Sequence, residues 1–334
     1  MKFGPVPVPD AGGAILAHSV GVGARDRLRK GRVLDVDDIA KLTAAGIAEV
    51  IVACPEPGDV TEDSAAARLA AALVPDTDVA NLQLTRPFTG RVNLLADGPG
   101  VALLDVTAIE AANRVHPMIT VATVPPFRQM RDRGMVATIK IISYAVPGDA
   151  LEEACALAHR AIRLAPPVLN KVALIVTDIA GAAGLRGVEA IADRVAAFGR
   201  DLHEPVVVPH TVDALSDALR ASQAELILIL TASATSDPAD VAPAALRAAG
   251  GSVARFGMPV DPGNLLFLGE LGQAAVIGLP GCARAPALNG ADWVLSRVIC
   301  GVPVTAADIA GMGVGGLLKE IPSRPQPRSG KKPG

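Results

Sequence analysis

The last half of the chain alternates short runs of branched apolar residues with alanine-rich segments in which apolar residues recur at helical spacing. Runs typical of buried strands lie at 172–176, 206–208, 226–230, 253–256 and 275–277. Segments with the spacing of amphipathic helices lie at 187–198, 212–221, 239–249 and 288–299, and Thr211 is placed to cap the second. Such alternation predicts a mostly parallel sheet, because parallel strands need helical crossovers. We therefore expect a three-layer α/β domain over 168–302.

The first half is less regular, and we expect a mixed α+β region over 1–167. Helical spacing is found at 36–45, 63–73, 109–115 and 151–164. Short strands are predicted at 50–52, 101–105 and 135–142. Prolines between 117 and 126 interrupt the pattern, and Pro166-Pro167 marks the predicted domain boundary. Residues 303–334 are predicted to be a C-terminal extension with a disordered basic tail, because cations, Pro and Gly are interleaved from 324 to 332.

Composition excludes several classes of protein. Half of the residues are apolar and 19% are charged, which predicts a buried core rather than global disorder. Aromatic residues make up 2% and the net charge is −3, so we expect no nucleic acid partner. The four cysteines are far apart, which disfavours a disulfide framework and a structural zinc site. Because we find neither a signal peptide nor an apolar run of membrane-spanning length, we expect a cytoplasmic protein without a membrane partner.

Three loops that follow predicted strands are rich in small residues, at 177–184, 231–237 and 278–282. Ligands of open parallel sheets bind beyond the carboxyl ends of the strands, where small residues let backbone N–H groups approach a phosphate. Three hydroxyls would add donors there: Ser233, Thr235 and Ser236. Three carboxylates would hold a hydrated Mg²⁺: Asp178, Asp237 and Asp240. The alternative is turn and helix-cap chemistry, in which the same residue types are routine.

Three short sequence elements follow one another in the last half of the chain. Residues 226–240 form a strand followed by a small-residue loop and an aspartate, Asp261-Pro262-Gly263-Asn264 is a Pro-Gly element, and Gly278-Leu279-Pro280-Gly281-Cys282 is a Leu-Pro-Gly turn. Residues 171–299 thereby resemble the molybdopterin-binding domain of molybdenum cofactor biosynthesis proteins. The stretches 28–34, 87–91, 307–313 and 317–322 resemble a subgroup whose longer members carry a nucleotidyltransferase domain.

The resemblance implies roles for particular residues. The implied binding residues for the pterin phosphate are Ser233, Thr235, Ser236, Pro262, Gly263, Asn264, Pro280, Gly281, Cys282 and Arg284. Asp178 and Asp240 are the implied catalytic residues, and with Asp237 they are the implied metal ligands. The chain also departs from the pattern of active members, which have a lysine where Asn264 stands and an asparagine where Cys282 stands.

A function follows from the resemblance as an expectation. The chain would bind molybdopterin or its nucleotide form, a small pterin phosphate, in molybdenum cofactor biosynthesis. If it is an enzyme, the implied chemistry is that of a transferase, either molybdate insertion or nucleotide attachment. The altered loops favour an alternative, a non-catalytic carrier or interaction module for a nucleotidyltransferase or a molybdoenzyme. An unrelated sugar or nucleotide enzyme on a similar sheet is the third hypothesis. The resemblance also implies a homo-oligomer.

Two further features near these loops have more than one interpretation. His210 precedes the predicted helix at 212–221 and is expected to be a capping or surface group rather than a base. Arg186 and Arg284 flank the predicted crevice, where each is either a phosphate ligand or a solvated surface cation.

Overall fold

The computed structural model describes residues 1–23, 25–179 and 185–318. The chain divides into two compact units. The first comprises Met1–Asp97, Ala102–Pro126 and Asp132–Leu164. The second comprises Gly98–Val101, Phe127–Arg131 and the described residues from 165 onward. Among the described residues, none of the helices is both long and apolar enough to cross a membrane.

The described elements before residue 166 are short strands, five α-helices and a 3₁₀ turn at Val8–Asp10. The strands are β1 (Lys2–Pro7), β2 (Ile15–Leu16), β3 (Val20–Gly21), β4 (Arg27–Leu28), β5 (Glu49–Cys54), β6 (Asp59–Thr61), β7 (Leu82–Leu84), β8 (Arg91–Ala96), β9 (Gly100–Leu104), β10 (Ile119–Thr123), β11 (Gln129–Met130), β12 (Met135–Ile141), β13 (Ala145–Pro147) and β14 (Ile162–Ala165). The helices are α1 (Val36–Ala44), α2 (Glu62–Leu73), α3 (Thr77–Ala80), α4 (Val106–Val115) and α5 (Gly148–Leu157).

The strands of the first unit pair antiparallel in its two larger sheets. One sheet has the order β1-β5-β2, and another has the order β10-β12-β8-β7. A core cluster that includes Leu16, Leu34, Leu42 and Val52 packs the sheet β1-β5-β2 against α1. The side chain of Asp35 accepts from the backbone N–H of Asp38, which caps α1 and fixes where it begins.

The second unit is built on a six-stranded sheet. Its strands are β15 (Val172–Asp178), β16 (Val206–Pro209), β17 (Leu226–Leu230), β18 (Ser252–Phe256), β19 (Phe267–Leu271) and β20 (Ala274–Leu279). Its helices are α6 (Val188–Ala196), α7 (Val212–Ala221), α8 (Val241–Ala248), α9 (Gly290–Ile299) and α10 (Ala306–Gly311). The strand order is β16-β15-β17-β20-β19-β18. The first four strands in that order are parallel, and the last two pairings are antiparallel.

The core of the second unit lies between its sheet and two helices. Residues of β15, β17 and β20 form a cluster with Leu215 and Leu219 of α7 and Leu246 of α8. All five residues of β17 are buried, and alternate side chains of a strand point to opposite faces. Both faces of the sheet are therefore covered at β17, and the complete three-layer arrangement stays a prediction.

The structure confirms a mixed α/β protein and corrects parts of the sequence analysis. The large sheet is mixed, with three parallel and two antiparallel pairings, and its antiparallel part contains β19, a strand that the sequence analysis did not identify. Residues 271–274 form a tight turn in which Gly272 has a φ of 60°, and Leu271 pairs with Ala274. This turn sends β19 and β20 in opposite directions. Thr211 caps α7 as predicted, since its side chain accepts from the N–H of Ala214.

Two elements of the first half also differ from expectation. The helix predicted at 151–164 ends at Leu157, and the chain then turns through Arg160, whose φ is 58°, into strand β14. The sequence predicts a longer helix because apolar residues continue at helical spacing up to Ala161. The proline-rich stretch from 117 to 126 contains β10, in which Ile119 and Val121 are buried in alternation. The tail predicted at 324–332 lies outside the described residues.

Candidate functional site

The carboxyl ends of the four parallel strands lie at one edge of the sheet. In the register, Asp178 at the end of β15 is opposite Pro209, and Leu230 at the end of β17 is opposite Leu279 of β20. From β15 the chain passes to β16 on one side and returns to β17 on the other. The crevice between β15 and β17 is therefore a topological switch point, the usual ligand position in sheets of this kind. We call this region the carboxyl edge.

Thr177, His210 and Ser233 meet at the carboxyl edge through their side chains. Thr177 Oγ1 lies 2.8 Å from His210 Nδ1, and Ser233 Oγ lies 3.0 Å from His210 Nε2. The backbone N–H of Ala232 donates to Thr177 Oγ1 at 2.9 Å. Thr177 is fully buried, His210 is half-buried and Ser233 is exposed. Both ring nitrogens of His210 are thus engaged, one inside the protein and one at its surface.

His210 and Thr177 are the site residues that the sequence analysis did not identify. His210 was expected to be a capping or surface group, yet its ring joins the loops that follow β16 and β17. The predicted strand order could have identified His210 as a residue of this edge. A residue directly after a strand parallel to β15 and β17 must lie at their shared edge, and His210 directly follows β16.

The loop after β17 is folded by its own hydroxyls. Thr231 Oγ1 donates to the carbonyl of Ser233 at 2.6 Å and lies 3.3 Å from Thr235 Oγ1. Thr231 and Thr235 are buried, which makes Thr235 part of the turn, whereas Ser233 and Ser236 are exposed. Of the three predicted donors in this loop, Ser233 and Ser236 have the exposure that a ligand contact needs.

The predicted metal ligands have other partners. Asp240 caps α8, where its carboxylate accepts from the N–H groups of Val241 at 2.7 Å and Ser236 at 3.1 Å. Asp237 accepts from the N–H of Ala239 at 2.7 Å. Asp178 ends β15, and its carbonyl accepts from the N–H of His210. Within the ranges given above, no three His, Cys, Asp or Glu side chains are grouped as metal ligands. The Mg²⁺ site at Asp178, Asp237 and Asp240 therefore stays a prediction.

Arg284 supplies a positive charge at the carboxyl edge. Its guanidinium donates to the carbonyl of Thr231 at 2.9 Å and to the carbonyl of Arg186. Gly187 packs against it so closely that an added Cβ would lie 2.6 Å from the Arg284 Cβ. Burial lowers the pKa of Arg284, and the nearby charge of Arg186 lowers it further. No carboxylate of the described residues contributes to the pKa shift of Arg284.

The turn after β20 is short. Strand β20 ends at Leu279, and Pro280 still has an extended backbone. Residues Gly281–Arg284 then form a 3₁₀ turn rather than the start of an α-helix. Helix α9 begins only at Gly290. Gly281 is exposed, and an added Cβ there would meet nothing within 4 Å. Space for a ligand therefore exists above Gly281.

The Pro-Gly element reaches the carboxyl edge from the antiparallel side. Phe267 begins β19 opposite Gly278 near the end of β20, so the segment before Phe267 starts at this edge. Pro262 and Gly263 are buried, and the carbonyl of Pro262 accepts from the N–H of Gly290 at 2.8 Å. Asn264 is exposed. Pro262 and Gly263 thus hold the start of α9, which leaves Asn264 as the accessible member of the element.

Part of the first predicted loop is not described. Residues 180–184, which belong to the small-residue loop predicted at 177–184, lie outside the described residues. The carboxyl edge is therefore defined here by the loops after β16, β17 and β20 and by residues 177–179 and 185–187.

Comparisons with known proteins give one partial family match and distant structural neighbours. Residues 5–54 match a family described as a domain of unknown function, DUF8806. No curated protein matches the chain. The molybdopterin biosynthesis moea protein from Pyrococcus horikosii is 13% identical, with a TM-score of 0.29, over 93% of this chain and 76% of that chain.

A second neighbour is the molybdenum cofactor biosynthesis protein from Pyrococcus furiosus, 14% identical, with a TM-score of 0.21. It aligns over 93% of this chain, which spans 65% of that chain's length. Because both TM-scores are below 0.5, we take the support for a function from the residues of this chain.

Proposed function

We propose that the chain binds molybdopterin or its nucleotide form in molybdenum cofactor biosynthesis, with the phosphate held at the carboxyl edge. The observation that carries the proposal is Arg284, a half-buried cation that forms no ion pair within the described residues and lies at the switch-point edge of the sheet. Partial burial of a cation without a counter-charge costs free energy, which a bound anion would recover.

The order of the three sequence elements supports a pterin phosphate as that anion. The loop after β17, the Pro-Gly element and the turn after β20 carry the residues that resemble molybdopterin-binding domains. All three reach the edge at which Arg284 lies, since the strands that lead to them are in register there. Besides Arg284, the predicted binding residues that are not buried are Ser233, Ser236, Asn264, Gly281 and Cys282.

The engagement of the carboxylates favours binding over catalysis. Asp237 and Asp240 accept backbone N–H groups, and the family's lysine is replaced by Asn264. A carrier that presents the pterin phosphate to a nucleotidyltransferase or a molybdoenzyme needs no metal-dependent step. The homo-oligomer and the protein partner implied by the sequence resemblance belong to this proposal.

The test is calorimetric titration with molybdopterin and with its adenylylated form, each with and without Mg²⁺. We expect the protein to bind at least one form, and Arg284→Ala to weaken binding by about tenfold to a hundredfold, because hydrogen bonds to charged groups contribute roughly 1.5–3 kcal/mol. Arg220→Ala is the matched control, since Arg220 lies on α7 with Asp217 and the carbonyl of Ala248 as its partners.

The outcomes separate the candidate functions. If neither form binds to folded protein, the proposal is wrong. Binding that Mg²⁺ and the Asp240→Ala substitution leave unchanged, with no conversion of the pterin when molybdate is added, supports a carrier. Conversion of the bound pterin in the presence of molybdate supports a transferase instead.

A further inference from the structure

Thr177, His210 and Ser233 form a hydrogen-bond chain whose proton order follows from counting donors and acceptors. Thr177 Oγ1 already accepts from the N–H of Ala232 at 2.9 Å. The threonine side chain is fully buried, so its hydroxyl proton requires an acceptor. Among the hydrogen bonds of the described residues, the 2.8 Å contact with His210 Nδ1 is the one that can take this proton. Thr177 therefore donates to Nδ1, and Nδ1 carries no proton.

This order fixes the other end of the chain. An imidazole whose Nδ1 accepts a hydrogen bond carries its proton on Nε2 when neutral. Nε2 lies 3.0 Å from Ser233 Oγ, so the ring donates to the serine. Because one lone pair of Oγ is occupied by this bond, the serine hydroxyl keeps its own proton for another acceptor. Ser233 is exposed at the carboxyl edge, where a ligand phosphate is the acceptor expected.

We propose that Thr177 and His210 are positioning residues that present the Ser233 hydroxyl as a hydrogen-bond donor to the phosphate. This inference rests on the proposed function, because it assigns roles within the same site. It also separates two roles for Ser233. A serine nucleophile needs a neighbouring base that accepts its proton, and an Nε2 that already carries a proton does not do so. Ser233 is therefore a binding donor, with Arg284 supplying the charge.

The first measurement reads the histidine tautomer without any ligand. In protein labelled with ¹⁵N-histidine, long-range ¹H–¹⁵N spectra identify which ring nitrogen carries the proton. We expect the Nε2–H form for His210, assigned by its loss in His210→Gln. Thr177→Val removes the donor to Nδ1 and is expected to mix the two tautomers, whereas Thr177→Ser keeps the hydroxyl and is expected to restore the wild-type spectrum.

The second measurement uses inorganic phosphate as the probe. Ser233→Ala is expected to weaken phosphate binding by about tenfold, the effect of one hydrogen bond to a charged group. A glutamine amide nitrogen occupies the place of Nε2, and an asparagine amide occupies that of Nδ1. His210→Gln is therefore expected to retain binding within about threefold, whereas His210→Asn loses as much as Ser233→Ala.

The results distinguish a failure of this inference from a failure of the proposed function. An Nδ1–H tautomer in the wild-type protein overturns the inference, whatever the protein binds. Equal phosphate affinity in Ser233→Ala and wild type also overturns it, while leaving the Arg284 site intact. If the wild-type protein does not bind phosphate, the inference and the anion site fall together. Two results together support the inference and the anion site. They are the Nε2–H tautomer in the wild-type protein and tighter phosphate binding by His210→Gln than by His210→Asn.

Discussion

At the scale of single residues, Gly278 shows how closely the second unit is packed. Gly278 of β20 lies directly opposite Phe267 of β19, and the phenyl ring occupies the space of a side chain. An added Cβ would lie 1.9 Å from one ring carbon and 2.1 Å from another. Phe267 is fully buried in the core between the sheet, α7 and α8, so the ring has little room to move.

Gly278→Ala is therefore expected to destabilise the protein. Overpacked core positions cost roughly 1–3 kcal/mol, and we expect a loss of about 3 kcal/mol in the free energy of unfolding, measured by urea denaturation. Gly281→Ala is the control, because its Cβ would meet nothing within 4 Å, and its effect should stay within about 0.5 kcal/mol. Equal stabilities for the two variants would contradict the packing argument.

Cys300 offers a prediction about reactivity. Burial raises the pKa of the Cys300 thiol to about 12, although the charge of Arg200 opposes the shift. The thiolate is the reactive form, so at pH 8 the folded protein holds Cys300 as an unreactive thiol. We expect iodoacetamide to label Cys300 at pH 8 only after denaturation, as measured by peptide mass spectrometry. Labelling at the same rate in folded and denatured protein would show that the thiol is accessible.

At the scale of elements, Arg194 of α6 holds the segment that follows β20. Its Nε donates to Asp292 of α9 at 2.5 Å, and its terminal nitrogens donate to the carbonyls of Ala283, Ala285 and Ala287 at 2.9–3.0 Å. Both side chains of the ion pair are about nine-tenths buried. The planar guanidinium of Arg194 thus holds three backbone carbonyls of the loop that carries Arg284. One of them belongs to Ala283, the residue directly before Arg284.

Arg194→Lys keeps the charge but removes the fork, and we expect it to lower the free energy of unfolding by about 2 kcal/mol. Hydrogen exchange of the amides at 283–287 should become faster in the folded state. Arg220→Lys on the exposed surface of α7 is the matched control and should change stability by less than about 0.5 kcal/mol. Unchanged exchange at 283–287 would mean that Arg194 does not hold this loop.

The elements that the sequence predicts well are those with a strong period and a cap. Helix α7 has the predicted bounds, because apolar spacing and the Thr211 cap agree, and β17 is an unbroken apolar run. The sequence analysis did not predict strand β19. The turn between β19 and β20 has only two residues, Gly272 and its neighbour, so few turn-forming residues mark it in the sequence. The His210 contacts depend on the end of β15 and two loops meeting in space, and the periodicity of residues along the chain carries no information about that meeting.

At the scale of the whole molecule, the 31 basic and 34 acidic residues nearly balance, so stability in acid depends on where individual carboxylates lie. In three carboxylates of the described residues, a hydrogen bond from a backbone N–H group is the main cause of a lowered pKa. The N–H of Asp38 lowers the pKa of Asp35, that of Lys171 lowers the pKa of Glu225, and that of Thr305 lowers the pKa of Asp308. Burial raises the pKa of Glu62, which acts in the opposite direction.

These shifts predict a loss of stability in acid. A carboxylate whose folded pKa lies below its unfolded value of about 4 binds fewer protons when folded. Its contribution to stability is therefore complete above about pH 5, and is lost as the pH falls through the folded pKa. Urea denaturation between pH 7 and pH 3 should show the free energy of unfolding falling below about pH 5.

The triple variant Asp35→Asn, Glu225→Gln and Asp308→Asn should reduce the slope of this acid loss, because its three amides take up no protons on unfolding. Glu62→Gln is the matched opposite case. The folded pKa of Glu62 is raised, so the folded state binds its proton more readily, and removing that group should make the acid slope steeper. Identical slopes for the wild type and the triple variant would place the acid sensitivity in other carboxylates. A shallower acid slope in the triple variant and a steeper one in Glu62→Gln would show two separate effects on stability in acid. Backbone donors act through Asp35, Glu225 and Asp308, and burial acts through Glu62.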